Sequence, residues 1–123
     1  SMTAATPSLT DRLRELLRQS MRSGDRPLTT AVRALLGELA NAEAVDSSHH
    51  QASGDDNFAG SVAGLGAGEA ARRTVPVEEQ FALLQAEVTE LRASADVRET
   101  AGRVDEAADL RRAADALEAL GKG

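Results

Sequence analysis

The chain is predicted to be all-α, with about four amphipathic helices in two antiparallel hairpins and a long insertion between the second and third helices. Three observations carry this. Alanine supplies 24 of the 123 residues, against 15 leucines, and it is the strongest helix former while offering little side chain to bury. The residues that sheets favour are scarce, with two phenylalanines as the only aromatics and no isoleucine. Apolar residues recur at three- and four-residue spacings in four separate stretches. The length suits one domain, expected over residues 8–120.

In the first stretch, Ser8 offers an N-cap hydroxyl with Asp11 three positions later, a capping-box variant. Leu9, Leu13, Leu16, Leu17 and Met21 then form one stripe, and Ser23-Gly24-Asp25 ends the helix. Pro27 suits the first turn of a second helix carrying Leu28, Val32, Leu35, Leu36 and Leu39 on one face. From Val45 to Val75 the periodicity fails, which defines the insertion. Within it, Phe58, Val62 and Leu65 behind an Asn57 cap predict a short helix docked on the bundle.

Pro76 opens the third helix, where Val77, Phe81, Leu84, Val88, Leu91 and Ala95 alternate spacings of four and three as a two-heptad seam. Gly102 is its natural stop. Ala107, Leu110, Ala114, Leu117 and Leu120 line one face of the fourth helix. Phe81→Ala is expected to be among the costliest single changes, about 3–5 kcal/mol for a buried ring. Residues 1–7 and 121–123 are expected to be flexible, and Ser1 ahead of Met2 reads as a scar of tag removal.

Fourteen basic residues against twenty acidic give a net charge of -6, which opposes general nucleic-acid binding by bulk electrostatics. The balance is uneven: residues 1–44 hold six basic and five acidic groups, residues 76–123 six and eleven. A polyanion would therefore meet the first third. The absence of cysteine excludes disulfides, thiolate nucleophiles and cysteine-ligated metals. No apolar run approaches the roughly 18 residues of a membrane span, so the expected setting is cytoplasmic, without membrane association.

Arg14, Arg18 and Arg22 lie one turn apart, opposite the apolar stripe, and form a candidate polyanion contact. A solvated face partly paired with Asp11 and Glu15 is the preferred reading. Glu43 falls in the apolar sector of its helix, while Arg33 and Arg92 border theirs. With Asn41 and Glu87 they form a candidate polar pocket for an anionic or amide ligand. A set of polar pairs fixing helix register is preferred. His49 and His50 could face a metal with Asp46, Asp55 or Asp56, but adjacent histidines in a loop point apart. No metal or other cofactor is expected. Gly64, Gly66 and Gly68 lack the spacing of a phosphate loop and suit tight turns.

Two stretches resemble the GatB/YqeY family. Met21-Arg22, Asp25-Arg26, Arg33, Leu36, Asn41 and Glu43 follow its early pattern. Glu87-Val88, Arg92, Ser94, Ala101-Gly102-Arg103, Asp105 and Leu117-Glu118-Ala119 follow its second. Longer members resemble a helical N-terminal domain followed by a small helical tail, shared with the GatB subunit of tRNA-dependent amidotransferases. There the tail is linked to tRNA engagement, and the chemistry lies in other domains and subunits. This chain is expected to comprise the helical domain without the tail. The stretch from Gly64 to Glu69 with Arg72-Arg73 is similar to an insertion in a shorter, tail-less subgroup.

The resemblance thus implies a non-catalytic accessory or interaction module that binds a protein or RNA partner, tRNA among them, through exposed helix faces. An autonomous amidotransferase would need an activated serine or cysteine and a nucleotide site. This chain has no cysteine, and its only lysine is Lys122. The alternatives are a role related to tRNA-dependent amidotransferases (carbon–nitrogen ligation with glutamine as amido donor) and small-ligand sensing near Glu43, Glu87 and Arg92.

Overall fold

A computed structural model describes residues 6–44 and 73–122. Four helices follow in chain order: α1 (Leu9–Ser23), α2 (Arg26–Glu43), α3 (Val77–Thr100) and α4 (Val104–Lys122), with no strand among the described residues. The predicted short helix around Phe58, His49 and His50 and the glycines Gly64, Gly66 and Gly68 all lie outside the described residues.

Local chemistry sets the helix ends. The Asp11 amide donates to Ser8 Oγ at 3.0 Å, closing the first turn of α1. Gly24 takes a left-handed φ of 73°, and its N–H donates to the Met21 carbonyl. Asp25 then caps α2 by accepting from the Leu28 amide, with Pro27 in the first turn. Gly102, at φ 83°, turns α3 into α4.

The two hairpins pack through α2, which lies against α1, α3 and α4, while α1 touches only the edge of α4. The most extensive pairing is α3 with α4. Leu9 and Leu13 of α1, Leu28, Val32, Leu35 and Leu39 of α2, Leu84 and Val88 of α3, and Ala113, Ala114 and Leu117 of α4 form one buried cluster. None of the four helices is long and apolar enough to cross a membrane.

Several sequence expectations are corrected. Met21 is 54% exposed, and the inward residue of that turn is Ser20, whose hydroxyl meets Thr29 Oγ1 at 2.8 Å and the Leu17 carbonyl. A hydroxyl can be buried there because both neighbours satisfy it. Val77 is 60% exposed, since the seam of α3 begins a turn later. Phe81 is only partly buried, which lowers the expected cost of losing its ring. Gly121 is not in a loose tail: α4 continues through Lys122, and Gly121 lies against Leu84.

Five polar contacts join parts of the chain where the apolar pattern gives no signal. Arg12 Nη1 donates to the Leu120 carbonyl at 2.9 Å, joining α1 to the last turn of α4. Asp25 pairs with Arg112 at 3.2 Å, fastening the α1–α2 turn to α4. After the insertion the chain returns to the place it left. The Arg73 amide donates to the Glu43 carbonyl at 3.0 Å, and the Arg73 guanidinium reaches the Ala42 carbonyl and Glu79.

Candidate functional site

The three outer arginines of α1 are where the periodicity puts them, with side chains 61%, 59% and 68% exposed for Arg14, Arg18 and Arg22. They are also partly paired. Arg18 meets Glu15 at 2.7 Å, and Arg14–Asp11 and Arg22–Glu15 stand at the longer distances of 3.9 and 4.0 Å. The hydrogen bond and charge of Arg18 hold the Glu15 carboxyl below its ordinary range. Exposed pairs of this kind contribute roughly 0–1 kcal/mol and exchange partners readily.

An open cleft of about 510 Å³ is lined by Ser20, Met21, Gly24, Arg26, Thr29, Thr30 and Arg33. Arg26 and Arg33 both line it from an exposed surface, and neither meets a carboxylate among the described residues. Arg33 reaches only the Met21 sulfur, at 3.8 Å. Sequence reasoning placed Arg33 in a pocket with Glu43 and Arg92 and named Arg26 only as part of the family pattern. A residue's pairing depends on what a neighbouring helix presents, which spacing along one helix does not reveal.

The five residues of the expected polar pocket do not converge. Asn41 is exposed on α2, and Glu43 is half-buried at its C-terminal end, where its carbonyl accepts from Arg73. Arg92 pairs across the hairpin with Asp115 at 3.1 Å and with Glu118. It belongs to a series of inter-helix pairs along the α3–α4 seam, with Arg98–Glu106 at 3.2 Å and Arg111 on Asp96 and Glu99. These pairs join α3 to α4, and of the five expected pocket residues Arg92 is the one that takes part in them.

Glu87 stands apart. It is 7% exposed and is the one buried charged side chain among the described residues. Burial, reinforced by the negative charges of Glu38 and Glu90, pushes its carboxyl above the ordinary glutamate range. No hydrogen bond or basic group offsets that effect. Its helix places it there because Leu84, Glu87, Leu91 and Ala95 are spaced three, four and four apart, inside the apolar sector.

A pH prediction follows from the sign of that shift. Just above the usual glutamate range the native state holds a proton that the unfolded chain has released, so stability falls as pH rises through this window. Glu87→Gln is expected to raise Tm at pH 7 and to flatten the dependence, with the difference vanishing below about pH 4. Thermal unfolding across a pH series checks both.

Among the described residues no group of three His, Cys, Asp or Glu side chains could hold a metal ion. No family model, curated protein or solved structure matches the chain.

Proposed function

We propose that this protein is a non-catalytic helical accessory module of the GatB/YqeY type, acting in the cytoplasm, which docks on an RNA or protein partner through the outer face of the α1–α2 hairpin. The single observation that carries the reading is the run of exposed guanidiniums from Arg14, Arg18 and Arg22 on α1 to the carboxylate-free Arg26 and Arg33 on α2. Five exposed cations on the α1–α2 hairpin of a chain with net charge -6 form a local contrast, and that contrast orients an anionic partner without producing general affinity. The weak pairs to Asp11 and Glu15 cost little to exchange for phosphates. This face favours an RNA partner over a protein one.

Titration of labelled tRNA at several salt concentrations tests the reading. Three phosphates neutralised by Arg14, Arg18 and Arg22 give a log–log salt slope of about -2 to -3, and Arg26 and Arg33 extend it towards about -4. Reversing the charge of the first three is expected to abolish binding at low salt. Glu15→Gln, which frees Arg18 and Arg22, is expected to strengthen it. Absence of binding at low salt, or a triple variant that binds unchanged, removes the RNA reading. Glutamine hydrolysis by the pure protein would replace it with an amidotransferase one.

A further inference from the structure

The unpartnered carboxyl of Glu87 lies in the wall of a cleft of about 370 Å³ between α2, α3 and α4. That volume is within the range of small-molecule sites. Its walls are largely apolar, with Ala31 and Ala34 on α2, Leu91 on α3 and Leu110 on α4. Of the charges around it, Arg98 is paired with Glu106, and Asp109 with Arg112. Arg26 lines the cleft as well, but it is not among the charges that act on Glu87. The buried end is therefore anionic.

Glu87 also lines a second groove, shared with Glu38 and Glu90, with no basic residue in its walls among the described residues. Among the described residues neither of those carboxylates has a cationic partner, and the three are not placed to share one metal ion. Residue burial penalises the charged form of Glu87, whose carboxylate oxygens still reach solvent, and a counter-charge would relieve that penalty. The counter-charge this cleft fits carries hydrocarbon to cover the apolar walls.

We propose that this cleft binds a linear aliphatic amine, its ammonium on the Glu87 carboxylate and its methylene chain against Ala31, Ala34, Leu91 and Leu110. An N⁺–H donor to a buried carboxylate is a charge-assisted bond, stronger than a neutral one. Arg26 borders both this cleft and the arginine face of the α1–α2 hairpin, so the ammonium is placed at the Glu87 end.

Calorimetry and thermal shift with 1,4-diaminobutane test the assignment on the whole chain. The diamine is expected to raise Tm in the millimolar range or below, while magnesium chloride at matched ionic strength leaves it unmoved. Glu87→Gln is expected to lose at least tenfold in affinity, although the unliganded variant is the more stable one. Ala34→Phe fills the cleft from the solvent-exposed wall of α2 and leaves the carboxyl in place. It is expected to lose binding to the same degree. An unmoved wild-type Tm, a magnesium shift equal to that of the diamine, or either variant binding like wild type would overturn the assignment.

Discussion

Leu35→Ala is expected to lower the free energy of unfolding by about 3–5 kcal/mol, the largest loss of any single truncation in this chain. Leu35 is fully buried on α2, the helix that packs against all three others. Removing its side chain leaves a void walled by separate helices, and none can move into it without leaving its own contacts. The transfer term and the cavity term therefore both apply. Phe81, larger but only partly buried, can be truncated at lower cost because solvent already reaches its site. Urea unfolding followed by far-ultraviolet circular dichroism measures both. A loss under about 1 kcal/mol for Leu35→Ala would mean that α2 is not the centre of the core.

The ease with which such a residue is found in the sequence has a physical basis. Burial of Leu13, Val32, Leu35, Val88 and Leu117 follows from spacing alone, because each helix has one apolar face and must turn it inward. The turn glycines Gly24 and Gly102 were legible for the same kind of local reason. Contacts that join helices distant in sequence were not. Nothing around Arg12 points to the Leu120 carbonyl, and nothing around Asp25 points to Arg112, because each depends on how α1 and α2 sit on α4. Arg92 shows the boundary. Its role as an inter-helix tie could be inferred from its place at the edge of the apolar sector, but its partners Asp115 and Glu118 could not.

Glu87 lies between these cases. The spacing put a carboxylate on the inner face of α3, and the natural inference from a buried charge is an arginine partner. The structure gives it none and surrounds it with Glu38 and Glu90 instead. What spacing could not supply was the sign of the surrounding field, which is set by α2 as much as by α3. Arg92 and Arg98 are engaged with acidic groups of α4, and Arg26, which lines the same cleft, is not among the charges that act on Glu87.

Ala95→Leu is expected to destabilise the fold by about 1–3 kcal/mol, the second large effect, and by a mechanism opposite to that of Leu35→Ala. Ala95 and Ala107 are fully buried on the helices that form the most extensive pairing. Small side chains there let α3 and α4 approach closely, and three added carbons force the helices apart or the leucine out of its preferred rotamer. Leucine is nearly as good a helix former as alanine, so the loss cannot come from backbone preference. Ala93→Leu, one turn face away and exposed, is the control and is expected to stay within about 0.5 kcal/mol of the parent. The Arg92–Asp115, Arg98–Glu106 and Arg111–Asp96 pairs span the same seam. Each is partly exposed and adds little stability, so their part is to hold register while the alanines hold distance. Widening the seam therefore stretches the pairs and reshapes the wall on which Glu87 sits. A stabilised Ala95→Leu would show unfilled space between α3 and α4, and with it that close alanine contact is not what positions the buried carboxyl.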